Sequence, residues 1–284
     1  MSALAGGRIA IFKPMCGRYQ IEKNGTLFWR FFRGGRGVTG RWVEQSITPG
    51  SGSDHDPLID PPIPLPTWLP MREVKPTQKI PIFRLDPAGR VELRMVTWWL
   101  CPPWARDRVK WYINMEGKKS FRWLPGKPPG THFNTRFDTL TKDKRSYWWN
   151  LLEGQRCVLP VDGFIEWPDD ELRDKTQPKI PRLFSLKGGA PFFFPGLWEE
   201  VLDDEGHPFL SANLITVGPN EMLQSLPHRR MPAMLKTPKE VEEYLGAPTG
   251  EAAAKALQTT PAEMMEMGPW PLVRGVSVGG LLEG

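Results

Sequence analysis

Only three cysteines occur in the 284 residues: Cys16, Cys101 and Cys157, far apart and with no CxxC pair among them. That spacing excludes a disulfide-stapled scaffold and a cysteine-rich zinc site, and it fits a reducing, cytoplasmic setting. The four histidines are scattered without ligand spacing, so no metal or other cofactor is expected. No stretch approaches the roughly 18 apolar residues a membrane-spanning helix needs. The first 15 residues also lack the apolar segment of a secretory signal. Neither sign of charge dominates, since 37 basic against 32 acidic residues give only +5. Such a balance mildly favours polyanionic partners and decides little alone.

What is present is more pointed. Thirteen Trp and fourteen Phe are many for this length, and most are expected in the core. Residues 1 to 47 hold eight Lys or Arg against Glu22 and Glu44, a basic N-terminal face. Within it, "FWRFFRGGRGVTGRW" interleaves aromatics with arginine, a pattern that serves either base stacking with phosphate contact or an amphipathic core helix with basic ends. Residues 48 to 66 and the stretch "LPGKPPGTH" read as loops.

The central half reads as β-structure. "QRCVLPVDGFIEW", "RLFSL", "PFFFPGLWEEVL" and "FLSANLITV" are apolar runs parted by turn clusters such as "KGGA" and "DDEGHP", an apparent antiparallel meander. "TPKEVEEYLG" carries every mark of a helix: Thr237 as N-cap, Pro238 at the first position, Glu240 completing a capping box and Gly246 as the stop. "GEAAAKALQ" is a shorter helix. Strands in runs with few helices make an α+β fold.

Four polar clusters interrupt apolar surroundings: Cys16 to Tyr19, Asn134 to Arg136, Asp162 to Trp167, and His228 to Pro232. Glu166 between Ile165 and Trp167 is either a carboxylate suited to general acid–base work or a solvated strand-end residue. His228, followed by Arg229 and Arg230, is either a structural or solvated histidine or one held neutral by their charge and able to pass protons. Asn134 and Arg136, two apart on a strand, would face one side as a phosphate or sugar clamp, or form an ordinary surface pair.

Taken together and in order, "MCGRY", "WWLCPPWA", "FNTRFDTL", "RCVLPVDGFIEW", "FFFPGLWEE", "LITVGPN" and "HRRMPAML" resemble the successive motifs of the SRAP family, the SOS response-associated peptidases or abasic-site processing proteins. The resemblance implies one domain over residues 16–272, with 48–66 as an inserted loop, an extension at 1–15 and a tail at 273–284. It implies a largely antiparallel, barrel-like core with flanking helices. It departs from the family pattern at Glu73, Asp138 and Val217.

Functionally, the resemblance implies a protein of the DNA-damage and SOS responses that captures abasic sites in single-stranded DNA through a cysteine at the mature N-terminus, here Cys16. It carries Glu166 and His228 over as the acid–base pair and Asn134 as the residue that holds the cysteine or the sugar. Arg18, Arg136 and Arg230 would hold phosphates, with Trp167 beside an unstacked base. A cysteine autopeptidase activity would remove whatever precedes Cys16, and Met15 directly before it favours translation starting there. The expected protein is a monomer, nucleoid-associated if bacterial. Two competing readings are a noncovalent single-strand binding module and an autopeptidase whose DNA contacts are incidental.

Overall fold

The computed structural model describes residues 17–21, 28, 71–108, 132–203 and 205–271. Cys16, the extension before it, the basic stretch after Phe28, the loop at 48–66 and the C-terminal tail lie outside the described residues, as does 124–131 of the second loop.

The strands in chain order are β1 (Tyr19–Ile21), β2 (Met71–Val74), β3 (Lys79–Leu85), β4 (Val91–Trp98), β5 (Asn134–Arg136) and β6 (Arg156–Val161). They continue with β7 (Gly163–Glu166), β8 (Arg182–Leu186), β9 (Phe192–Leu202), β10 (Pro208–Val217), β11 (Met231–Pro232) and β12 (Met265–Pro269). Five of them close on themselves: β10 pairs β4, β4 pairs β3, β3 pairs β6, β6 pairs β9, and β9 returns to β10. Closure removes the sheet edges. The pairings are antiparallel except β10 with β4 and β10 with β5. The second sheet runs β12-β8-β7-β1-β2. With few, short helices, this is the α+β fold with a barrel-like core.

The apparent meander is split between the two sheets. β6 and β9 are neighbours in the barrel, whereas β7 and β8 pair in the second sheet. The chain changes sheet at Asp162, between Val161 (paired with Phe192) and Gly163 (paired with Gln20). Alternation of apolar residues is the same whichever neighbour a strand takes, so periodicity alone cannot assign the sheet. Glycine suits this corner, because a Cβ on Gly163 would lie 2.9 Å from Leu183 Cδ1 and 3.0 Å from the Phe184 carbonyl.

The core between the layers is aromatic. Tyr19, Phe83, Trp98, Phe164, Phe184, Phe193 and Phe194 are fully buried. Tyr19 meets Trp98 and Phe194 edge to face, with centroids 5.0 and 5.8 Å apart. Cys101 and Cys157 are buried free thiols, and burial pushes the Cys157 thiol far up, which leaves it unreactive.

The α-helices bounded among the described residues are α1 (Phe137–Leu140), α2 (Tyr147–Gly154), α3 (Glu221–Ser225), α4 (Pro238–Leu245) and α5 (Gly250–Ala254). The capping box on α4 forms as its sequence predicts, with the Thr237 hydroxyl accepting from Glu240 N and the Glu240 carboxylate accepting from Thr237 N. Tyr244 on its buried face donates to the Gly196 carbonyl at 2.8 Å. A Cβ on Gly196 would sit 2.2 Å from the Asn213 carbonyl, so only glycine lets β9 approach β10 there. Arg156 joins two helix ends, donating to Leu152 and Glu153 at the end of α2 and to Leu245 and Ala247 after α4. A guanidinium suits carbonyls left open at helix C-termini.

Candidate active site

β7 is buried along its whole length and ends on Glu166, whose residue is only 3% exposed. Its neighbour on one side is β1, with Tyr19 opposite Phe164, Gln20 opposite Gly163, and Ile165 N donating to Arg18 O at 3.0 Å. Arg18, two residues after Cys16, is thus bonded beside the end of β7 that carries the buried carboxylate.

His228 reaches the same place from the turn after α3. Asn220 caps that helix by accepting from Leu223 N, His228 N donates to the Leu223 carbonyl at 3.1 Å, and the Pro227 carbonyl accepts from Asp169 N at 2.9 Å. The imidazole is 7% exposed and lies with Nδ1 3.1 Å from the Trp167 carbonyl and Nε2 3.3 Å from Glu166 Oε2. A carbonyl can only accept, so Nδ1 carries the hydrogen. Burial lowers the His228 pKa, and it outweighs the Trp167 carbonyl and the Asp169 charge, which raise it. Near neutral pH, Nε2 is then a bare acceptor facing a carboxylate oxygen, without the alignment of a hydrogen bond.

The neutral state follows from burial, not from the neighbouring arginines. Arg229 turns away to Asp169 (3.3 Å) and Glu171 (2.8 Å), clasping the β7–β8 connection against the histidine turn. Arg230 is 8% exposed and donates to Asp138 Oδ1 at 2.6 Å and to the Thr216 carbonyl at 3.1 Å.

Asn134 and Arg136 bracket buried Thr135 on β5, so they do share a side. Thr216 of β10 pairs with Arg136 on one flank and Pro232 on the other. That arrangement delivers Arg136 and Arg230 to one carboxylate, Asp138, which Arg136 reaches at 2.9 Å. Burial pushes the Asp138 carboxyl up, but hydrogen bonds from Arg136 and Arg230 outweigh it and hold the pKa at about 2.

Arg18 lies with its guanidinium 4.7 Å over the Trp167 ring and bonded to Glu73, which also holds Lys75 at 2.9 Å. One face of Trp167 is thus covered by arginine. Sequence reasoning missed Glu73 as the partner of Arg18 and Asp169 with Glu171 as partners of Arg229. The alternation Glu73, Val74, Lys75 was the one available sign of a charged face.

For a cation, the described residues offer Asp203, Glu205 and His207 at the β9–β10 turn. Asp203 is tied there to backbone amides of its own turn.

The SOS response associated peptidase (SRAP) profile matches residues 15–276, nearly the whole chain. The chain belongs to the SRAP family. Among its relatives, the abasic site processing protein YoaM of Bacillus subtilis is 31% identical over 184 residues, covering 65% of this chain and 70% of the relative. The abasic site processing protein HMCES of Gallus gallus is 29% identical across 59% of this chain and 49% of its own length. A crystal structure from Bordetella bronchiseptica covers 89% of this chain and 99% of its own, with TM-score 0.59 and 18% identity, a likeness of fold. In this SRAP chain, Glu166 at the end of β7 and His228 in the turn before β11 meet, with β1 as the neighbour of β7.

Proposed function

We propose that the protein captures abasic sites in single-stranded DNA as a covalent adduct through Cys16, once the residues before it are removed. The observation that carries this reading is the buried Glu166–His228 pair, at the end of a strand whose neighbour β1 follows shortly after Cys16. The names of the relatives point to the same substrate.

The chemistry follows from groups the chain supplies. The ring-opened sugar of an abasic site is an aldehyde. The free α-amine of Cys16 adds to its carbon, a C–N bond forms, and loss of one water gives a Schiff base. The Cys16 sulfur then adds to the imine carbon, its proton passes to nitrogen, and a five-membered thiazolidine closes. Nitrogen and sulfur must sit on adjacent carbons, so only an N-terminal cysteine serves.

Each step moves a proton, and the space between Nε2 and Oε2 is where this chain can take one up and return it. With Nδ1 fixed as donor by the Trp167 carbonyl, only Nε2 changes protonation. Asn134 would hold the cysteine or the sugar, and Arg18 and Arg136 would hold flanking phosphates, which position a strand without reading its sequence. Arg230, buried and turned onto Asp138 and the Thr216 carbonyl, would instead brace Arg136 through their shared carboxylate. The same Cys16 thiol would serve as nucleophile in self-cleavage after Met15. The profile match beginning at residue 15 supports Met15 as the start of the working protein.

The test is an intact-mass measurement on protein begun at Met15, incubated with an abasic single-stranded oligonucleotide and then denatured. The expected species is protein lacking methionine plus oligonucleotide less one water. Free protein and free DNA alone, with methionine removal verified in the same spectrum, would overturn the proposal.

A further inference from the structure

We infer that Glu73 is a built-in competitor for the DNA backbone: its carboxylate occupies the Arg18 guanidinium in the free protein and sets how weakly an intact strand is held. This rests on the proposed function, in which Arg18 meets a phosphate.

The geometry is that of a phosphate site already filled. β1 and β2 are antiparallel neighbours with Tyr19 opposite Val74, and a register shift follows between Tyr19 and Ile21. At the end of this pairing, one oxygen of Glu73 on β2 receives Nη1 of Arg18, just before β1, and the other lies 2.9 Å from Nζ of Lys75, just after β2. One carboxylate thus spans two cations, and it is these oxygens that a phosphodiester would have to replace. The three side chains are 38%, 29% and 43% exposed for Arg18, Glu73 and Lys75, so a strand can reach them without opening the fold. The guanidinium also lies over Trp167, whose own carbonyl holds His228. The competed cation therefore stands at the rim of the acid–base pair, where grip on the strand matters.

The consequence is a division of labour between grip and reaction. A protein that forms a covalent bond to an aldehyde gains nothing from holding undamaged strands tightly. A carboxylate that must be displaced lowers affinity for every strand alike, while the covalent step still retains the damaged one. Glu73 in this reading sets specificity without touching the reacting atoms.

The experiment is fluorescence anisotropy with a labelled, undamaged single-stranded oligonucleotide over a series of salt concentrations, on protein begun at Met15 and on Glu73→Gln and Glu73→Ala. Both variants are expected to bind about 3- to 10-fold more tightly at low salt, with a log–log salt slope steeper by about 0.7, the value for one added phosphate contact to a single strand. In an Arg18→Ala background the gain from Glu73→Gln should vanish, while in a Lys75→Ala background it should persist. Equal affinity and slope in wild type and both variants overturns the inference, as does weaker binding in the variants, which would make Glu73 a support for Arg18. Wild type that neither binds the strand nor forms the adduct overturns the proposed function instead, a result separable from either of these.

Discussion

Two buried carboxylates, Glu92 in the barrel and Glu166 at the end of β7, are almost equally hidden, at 2% and 3% exposed, yet their surroundings are opposite. Glu92 is gripped by two guanidinium groups, Arg84 Nε and Arg94 at 2.9 Å, and Arg84 in turn lies 3.8 Å over the Trp198 ring. Glu166 faces an imidazole that burial keeps neutral. A carboxylate locked between two guanidinium groups serves the fold. One set against a neutral base has a site between them for a proton to occupy, the arrangement found where acid–base chemistry is done. Burial alone does not separate the two; the partner does.

The sharpest way to test that comparison is to neutralise each in turn. Glu166→Gln and His228→Ala should each slow adduct formation by about 10²- to 10⁴-fold in single-turnover assays, the usual worth of a positioned acid or base. Glu166→Gln keeps the shape of the side chain, so its melting temperature should stay near that of wild type. Glu92→Ala should do the reverse. Leaving Arg84 and Arg94 beside an empty position costs about 3–5 kcal/mol of stability, read by denaturant unfolding, as for other broken buried pairs. The folded fraction should still form adduct at the wild-type rate. A Glu92 variant that loses adduct formation while fully folded would erase the distinction.

The pH dependence divides them further. The His228 pKa is lowered below 6.5 by burial, so in the window between that value and 6.5 the unfolded chain binds a proton that the folded chain does not. Stability therefore rises with pH through this window, is fully present above 6.5, and is lost as pH falls through the lowered pKa. Unfolding free energies of wild type should decline from neutral to mildly acid pH, and His228→Asn should decline less. Stability is the cleaner readout, because an α-amine titrating at about 7.7–8.0 shapes the adduct rate as well.

How much of this was legible beforehand depends on the range of the interaction. Helix α4 was fixed by Thr237, Pro238, Glu240 and Gly246, all close together in the chain, and formed as read. β8 falls on "RLFSL" residue for residue, because its turn signals are local. The closure of β9 onto β10 followed from the hairpin turn, but the parallel approach of β5 and β4 to β10 joins residues some 80 to 115 positions apart and leaves no mark in either segment. In the same way, the sequence clusters around Glu166 and His228 were visible as polar interruptions in apolar runs. Their 3.3 Å meeting, the Trp167 carbonyl that fixes the tautomer, and Glu73 beside Arg18 depend on which sheet each strand joins. Residue types announce chemistry; pairing decides which residues share it.

Asp138 offers the finest test of the comparison, because it too accepts from two arginines but at the surface, with 55% of its side chain exposed. Its pKa is held at about 2, so the folded state prefers the charged form, and the stabilisation is present above 3.8 and lost as pH falls toward 2. Solvent screening limits its size. Asp138→Asn should cost under about 1 kcal/mol at neutral pH, as exposed ion pairs do. The gap between variant and wild type should close as the medium is acidified through that window. If Asp138→Asn instead costs as much as Glu92→Ala, exposure is not what sets the value of a doubly paired carboxylate. The buried Arg230, left with the Thr216 carbonyl, would then carry the loss, since a guanidinium stripped of its counter-charge inside a protein is the costlier partner.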